Sequence, residues 1–394
     1  MADTPDAGVL SDKGHFSWLD DPRLSRIIGA LGADQIRFVG GCVRDSMIGR
    51  SVADIDACTP LLPECVIERL QAADIYVIPT GLKHGTVTAV SDGLHVEITT
   101  LRQDVDTDGR HATVAFTDQW DEDAKRRDFT MNALYCDAAG HIYDPTGGLD
   151  DLKAGRVRFI GDAETRITED ALRIMRFFRF HLRYGQGKSD PQALAACTKL
   201  LDKLSILSIE RIRDEFLKIL SHDAPQSILT LMRDMGVMPY ILPQACWLAT
   251  PITDMPQVKS EKAALVKLLL LIRREKSVVI KVCKHLKMAN SDRTHLLNII
   301  DCLLVLQGHE QKAAFYRCGY YYCMAALYDA LVLLGQQDHL PKSFSVPDFP
   351  VSGQDLLAHG IAAGPKLGQT LRQLEEVWLQ SHCQLTKEAL LEKL

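Results

Sequence analysis

The sequence lacks the features that would tie it to a membrane or a secretory route. Its apolar run Leu268–Ile272 is far short of the roughly 20 residues that a spanning helix needs. Its opening residues, MADTPDAGVLSDKG, are acidic and polar, unlike the basic-then-apolar start of a secretory signal. Eleven cysteines are present but none form a C-x-x-C pair. That spacing argues against zinc and disulfides and for reduced thiols in a cytoplasmic setting. No long-period repeat or low-complexity segment occurs. The formal net charge is −6, so the chain cannot bind a polyanion by overall charge. A nucleic-acid partner would require a local basic surface.

Two stretches offer one. Residues 153–183 carry eight Lys/Arg against four Asp/Glu, and residues 261–287 carry eight against two. Each also fits a solvated helix face. The chain of 394 residues, 46% of them hydrophobic, has enough apolar content for about two to four domains.

After a polar leader over 1–34, with a short helix near Leu24–Leu31, short strand-like runs alternate with helical ones. Strands are expected at Ile36–Val39, Ala53–Cys58, Ile75–Ile78, Thr86–Val90, Leu94–Leu101 and Thr130–Tyr135. Helices are expected at Cys42–Ile48, Cys65–Ala73 and Asp121–Arg126. This is an α/β domain over 35–148. Turn chemistry at Asp144-Pro145-Thr146-Gly147-Gly148 closes it. Beyond Gly161 the period is helical: Asp170–Tyr184, Ile209–Leu220, Gln226–Met235, Glu261–Ile272, Ser277–Leu286, Leu296–Leu306, Lys312–Leu334 and Lys366–Gln380. Proline-rich breaks fall at Pro239–Pro256 and Pro341–Gly353. The fold class is therefore α+β, an α/β head followed by an all-α neck (149–222), body and tail (223–394).

The chain is organised around IRFVGGCVRDSMIGRSVADIDACT, residues 36–59. Gly40 and Gly41 allow a backbone turn to approach a triphosphate, with the amides of the next helix aimed at it. Arg44 can grip phosphate oxygens. Asp54 and Asp56 alternate with Ile55, so their carboxylates share one strand face. Paired carboxylates beside a phosphate cradle suit two Mg²⁺ ions in nucleotidyl transfer, although an arbitrary D-x-D is more often a solvated edge. Glu97, on HVEITT, completes the cluster if its strand is a neighbour. Residues 103–120 lack periodicity and read as a mobile loop. Arg126, Arg127, Asp128 and Asn132 lie in RRDFTMNA, which suits phosphate and ribose contacts or a helix end decorated with cations.

In ITEDALRIMRFFRF, residues 167–180, Thr168 is a natural N-cap, and Asp170 and Arg173 stand at i and i+3 on one helix face. Such a pair is usually a surface ion pair of little worth. It also fits a base edge. Cytosine and adenine each present an amino donor beside a ring-nitrogen acceptor, which a carboxylate and a guanidinium complement. Uracil and guanine reverse that order. Arg176 and Arg179 come next on the same helix.

Taken together, these motifs resemble the class II tRNA nucleotidyltransferase / bacterial poly(A) polymerase family of the DNA polymerase β superfamily. The resemblance rests on Gly40-Gly41-x-Val-Arg44-Asp45 with Asp54-x-Asp56, on RRDFTMNA from Arg126, on Asp144-Pro145-x-Gly147-Gly148, and on Glu169-Asp170-x-x-Arg173. It continues in Ser208-Ile209-Glu210-Arg211-Ile212 with Glu215-Phe216, in Phe349–Leu356 and in Gly364-Pro365-x-Leu-Gly368. It implies a polymerase β-like head with Asp54 and Asp56 as Mg²⁺ ligands and Glu97 as the third carboxylate. It also implies nucleotide contacts from Gly40, Gly41, Arg44, Arg126, Arg127, Asp128, Asn132, Arg176 and Arg179, with Asp170 and Arg173 as a protein template. Many members have Gly-Arg-Arg-Pro in the mobile loop, where this chain has Gly109-Arg110-His111-Ala112.

The implied activity is template-independent addition of CCA to tRNA 3′ ends from CTP and ATP, with tRNA as partner and no membrane or zinc. A poly(A) polymerase and a CC-only or A-only enzyme are alternatives within the family. His222-Asp223 raises an HD-type phosphohydrolase, and a non-catalytic RNA-binding module is a further alternative.

Overall fold

Alternation of apolar and polar residues along Leu94–Thr100 decides which way the head sheet faces. Val96 and Ile98 are buried, whereas His95 and Glu97 are exposed, so at this strand one sheet face is covered and the other is open. The computed structural model describes residues 16–107, 112–186, 189–243, 246, 255–308 and 311–394. Residues 1–15 of the expected leader, 108–111 of the expected mobile loop and most of 244–254 in the first proline-rich break lie outside the described residues.

By internal contacts the chain divides into two units, 1–207 and 208–394. In the first, helix α1 (Pro22–Leu31) leads to strand β1 (Arg37–Val39), α2 (Gly41–Met47), β2 (Ile55–Thr59), α3 (Pro63–Ala72), β3 (Tyr76–Gly81), β4 (Thr86–Ser91) and β5 (Leu94–Thr100). A hairpin of β6 (Arg102–Thr107) and β7 (Ala112–Phe116) comes next, then α4 (Trp120–Lys125), β8 (Tyr135–Cys136) and β9 (Ile142–Tyr143). The seven-stranded sheet runs β3-β4-β5-β2-β1-β8-β9. Among the described strands only β2 and β5 pair in parallel, and their register sets Asp56 opposite Glu97. Helices α1 and α3 pack over β4, which carries the buried Val87 and Ala89. The opposite face carries Asp56, Glu97, Val39 and Cys58.

The rest of this unit is helical: α5 (Gly148–Lys153), α6 (Ala163–Glu169), α7 (Leu172–Tyr184) and α8 (Pro191–Lys199). The second unit holds α9 (Ile209–Leu220), α10 (Gln226–Asp234), α11 (Ala263–Leu271), α12 (Lys276–His285) and α13 (Asn290–Gly308). It ends with α14 (Gln311–Tyr321), α15 (Met324–Leu334), α16 (Gly353–Ala358), α17 (Pro365–Gln380) and α18 (Lys387–Leu391). No described helix is long and apolar enough to cross a membrane.

Four elements depart from the periodicity. Asp170–Tyr184 does not start as one helix: α6 ends at Glu169, and Asp170 is extended at φ −148°, ψ 103°. The N-cap of α6 is Asp162, which accepts the Thr165 amide, and Thr168 lies inside that helix. The expected strand Thr130–Tyr135 begins as a 3₁₀ turn over Thr130–Asn132, and only Tyr135 and Cys136 join the sheet. Lys312–Leu334 breaks at Cys323, whose φ is 102°, into α14 and α15. The expected mobile loop is in part the β6–β7 hairpin.

The turn at Thr130 has a tertiary cause. The Thr130 hydroxyl donates to Asp151 Oδ2 at 2.6 Å, and the Gly148 amide donates to Asp144 Oδ1 at 2.8 Å. These bonds draw the glycine against the Thr130 backbone. A Cβ on Gly148 would stand 2.1 Å from the Thr130 carbonyl oxygen. Gly148→Ala is therefore expected to destabilise the chain by about 1–3 kcal/mol, the usual range for overpacking. A thermal melt unchanged from wild type would show that this approach is not required.

Candidate active site

Asp56 sits in strand β2, half-buried, with Asp54 just before the strand and Glu97 directly across the ladder. Asp54 and Glu97 are exposed. The Asp56 carboxyl is held above its usual range first by burial and then by repulsion from Glu97, an effect opposed by Arg127 and Arg44 and reinforced by Asp54. A carboxyl held up by burial and by its carboxylate neighbours is one that a cation would relieve. Among the described residues no three His, Cys, Asp or Glu side chains enclose a metal by themselves. A two-carboxylate arrangement matches Mg²⁺, which keeps positions for waters and substrate phosphate oxygens. The residues present thus fit that ion.

Gly40 caps α2 with φ 76° and ψ −122°, a conformation that needs glycine. Two guanidinium groups border the glycine pair. A Cβ on Gly40 would lie 4.0 Å from Arg127 Nη1, and one on Gly41 would lie 3.8 Å from Arg44 Nη2. The backbone is thus open between two fixed cations.

The fixity of Arg127 comes from a residue outside every motif named above. Asp123, fully buried in α4, accepts from Arg126 Nε at 2.8 Å and from Arg127 Nη2 at 3.0 Å. The Tyr135 hydroxyl donates to it at 2.7 Å. Burial alone would raise the Asp123 carboxyl. Arg127, Arg126 and Tyr135 outweigh that and bring it down to about 2. The signal was available as an acid three and four residues before two arginines, the spacing of a helical ion pair.

Arg44 Nε donates to Asp45 Oδ1 at 2.9 Å, and Arg44 Nη1 donates to Asn132 Oδ1. Asn132 Nδ2 donates to Asp128 Oδ1 at 2.9 Å, and Arg176 Nε of α7 donates to Asp128 Oδ2 at 2.7 Å. The Asp128 carboxyl, pushed up by burial, is brought below its usual range by Arg176 and Asn132. Arg179 Cζ lies 4.6 Å from the Phe180 ring centroid.

Asp170 and Arg173 do not stand together on one helix face as the i, i+3 spacing implies, because Asp170 lies at the break before α7. Arg173 Nη1 donates to Glu169 Oε2 at 2.6 Å and to the Arg166 carbonyl at 2.8 Å, and Nη2 donates to the Arg126 carbonyl at 3.1 Å. The Asp170 Oδ1 atom accepts the Leu172 amide at 3.0 Å. Both groups are held at the α6–α7 break, each by its own partners. Glu169 thus holds both Arg173 and Arg166, a role that its spacing alone did not mark.

His222-Asp223 is a turn after α9: His222 Nδ1 accepts the Ala224 amide at 3.2 Å, and Asp223 is exposed. A cavity of about 620 Å³ opens on the head between Ser17–Arg23 and Ser46–Val52. Asp54 and Asp56 do not line it.

Three family models match the chain. Residues 36–158 match "Poly A polymerase head domain", and 188–248 match "Probable RNA and SrmB- binding site of polymerase A". Residues 256–394 match "tRNA nucleotidyltransferase domain 2". The human CCA tRNA nucleotidyltransferase 1, mitochondrial, is 35% identical over 383 residues, which is 91% of this chain and 86% of that protein. The CCA-adding enzyme of Leuconostoc citreum is 32% identical over 372 residues, 90% of each. Among solved structures, the Bacillus stearothermophilus CCA-adding enzyme in complex with CTP aligns at TM-score 0.70 and 25% identity. That alignment covers 95% of this chain and 98% of that one.

Proposed function

Because the chain belongs to the poly(A) polymerase and CCA-adding tRNA nucleotidyltransferase family of the DNA polymerase β-like superfamily, we propose that it adds CCA to tRNA 3′ ends from CTP and ATP. The observation that carries this reading is Asp56, set opposite Glu97 beside two guanidinium groups on an open glycine turn. We assign 35–148 to the catalytic head, 149–222 to the neck and 223–394 to the body and tail.

Asp54 and Asp56 would hold Mg²⁺, which supplies charge neutralisation at the attacking 3′-hydroxyl and the leaving pyrophosphate. Arg44 and Arg127 bind the triphosphate across Gly40 and Gly41. Asn132 and Asp128 orient Arg44 and reach toward the ribose. Arg173, fixed by Glu169, donates to the ring nitrogen of C or A, while Asp170 accepts from the amino group. The eleven thiols, all free, favour the cytoplasm, with a mitochondrial form represented among the relatives.

The test supplies tRNA lacking its 3′ end with CTP and ATP separately and together. CTP alone should give two added C residues, and the pair should give CCA. A run of A residues would assign poly(A) synthesis instead, and no extension would overturn the reading.

The phosphate contacts are narrower than the charge counts imply. Arg156 and Arg158 pair with Asp151, Arg166 and Arg173 with Glu169, Arg176 with Asp128 and Arg183 with Asp45. In the body stretch Lys267 is 1% exposed and its ammonium donates to the His222 carbonyl, so it is not a surface cation. Lys281 and Lys284 are exposed one helical turn apart on α12. Replacing both by Ala should weaken tRNA binding and reduce the slope of log K against log[salt] by about 2. An unchanged slope would place the phosphates elsewhere.

A further inference from the structure

Helix α7 is tied to the head at two points. Near its start Arg176 Nε donates to Asp128 Oδ2 at 2.7 Å. At its end the Tyr184 hydroxyl donates to Asp45 Oδ1 at 2.8 Å, and Arg183 Nη2 donates to Asp45 Oδ2 at 3.1 Å. The two ties are separated by about 12 Å of helix. Between them runs an unbroken line of hydrogen bonds through the head. Asp45 accepts from Arg44, Arg44 donates to Asn132, and Asn132 donates to Asp128. The line therefore leaves α7 at Tyr184 and returns to it at Arg176. Its four head members, Arg44, Asp45, Asn132 and Asp128, are all at most 8% exposed.

Tyr184 closes the circuit in two ways. Besides its hydroxyl bond, its ring faces three guanidinium groups, with Cζ of Arg44 at 4.3 Å, Arg50 at 5.0 Å and Arg183 at 5.4 Å. Arg50 also donates to the Arg183 carbonyl at 3.0 Å. A buried network with every member satisfied is stiff, and removing one member leaves another unpaired in a place water reaches poorly.

This geometry matters because the two ends of an incoming nucleotide are held by different elements. The triphosphate lies with Arg44 on α2, and the base lies with Arg173 on α7. The separation of those two groups is fixed only if α7 is fixed against α2. Asp45 is the residue next to Arg44, and Arg176 is one turn beyond Arg173, so each tie stands beside one of the two contacts.

We propose that Tyr184 and Asp45 are positioning residues that act through Arg44, locking the neck helix in register with the phosphate cradle and so setting nucleotide affinity. This rests on the nucleotidyltransferase reading above. A looser register weakens ground-state and transition-state binding alike, so it raises KM and leaves kcat in place.

Tyr184→Phe keeps the ring and its cation contacts and removes only the hydroxyl. Together with Asp45→Asn it tests the circuit. Each variant should raise KM for both CTP and ATP roughly tenfold, with kcat within about twofold, the expected result of losing one buried hydrogen bond. The double variant should be little worse than Asp45→Asn alone, because both changes cut the same link. Unchanged KM, a fall in kcat at unchanged KM, or fully additive effects would overturn the proposal. CTP binding measured at equilibrium separates it from the activity reading. A wild-type chain that binds CTP and extends no tRNA overturns nucleotide transfer, and the variants' Kd values then judge the circuit. A wild-type chain that does not bind CTP overturns both. Tyr184→Phe alone carries the test if Asp45→Asn does not fold.

Discussion

Asp56→Ala is expected to lower nucleotide addition by about 10³-fold or more, the scale of removing a carboxylate from a metal-assisted phosphoryl transfer. The same variant should melt no lower than wild type when metal-free. Burial, then Glu97 and then Asp54 raise the Asp56 carboxyl, against the pull of Arg127 and Arg44. A carboxylate whose folded pKa lies above its unfolded value binds its proton more tightly in the native state. Its ionised form therefore costs stability above the folded pKa, and the cost fades as pH falls through that value. Alanine removes the cost at neutral pH, so the loss of activity would be chemical and not a loss of fold. Asp54→Ala should take the same course in activity. Because Asp54 is exposed, it should be close to neutral in stability. Near-normal turnover by Asp56→Ala would remove the carboxylate pair from the mechanism.

Arg173→Ala should produce the second largest effect, a change in which nucleotides are used. Arg173 carries its guanidinium to the α6–α7 break, where Glu169 and the carbonyls of Arg166 and Arg126 hold it. A held fork donates in one direction, and only C and A offer a ring-nitrogen acceptor beside an amino group. Removing the fork should cost about 1–3 kcal/mol of discrimination, seen as a fall in CTP and ATP incorporation with UTP and GTP gaining relative to them. Asp170→Ala should act in the same direction through the amino group. Glu169→Gln should have a milder form of the Arg173 effect, since it weakens the grip and keeps the donor. Single-nucleotide incorporation with the four triphosphates measures all three. If Arg173→Ala and Asp170→Ala keep the wild-type order of preference, base choice lies elsewhere.

The structure changes how that pair is understood. Read at i and i+3, Asp170 and Arg173 share one face of one helix. In the fold the helix is interrupted at Asp170, the acid caps the Leu172 amide, and the base turns back to Glu169. Local spacing could not reveal this. Apolar residues recur through Ile167–Phe180 whether or not a single residue leaves the helix, and the carbonyl of Arg126 arrives from a distant segment. The basic stretches show the same limit. Residues 153–183 have a surplus of cations by count, but much of it is neutralised by Asp45, Asp128 and Asp151, which lie outside the stretch.

By itself the amino-acid sequence determined the arrangements that side-chain direction along a regular backbone imposes. Asp56 and Cys58 share a face because strand residues alternate, and the sequence places Asp54 at the entry of the same strand. Asp123 meets Arg126 and Arg127 because helix residues three and four apart are neighbours. Gly40 and Gly41 permit a tight backbone turn because neither carries a Cβ. Only the tertiary structure decided which of these local faces meet. The parallel register of β2 and β5 sets Asp56 across from Glu97, the turn at Thr130 brings Asn132 to Arg44, and Tyr184 reaches Asp45. Each of these depends on how the whole sheet and the helices around it bury their apolar surface. That is a sum over many distant residues, and no short window of sequence contains it.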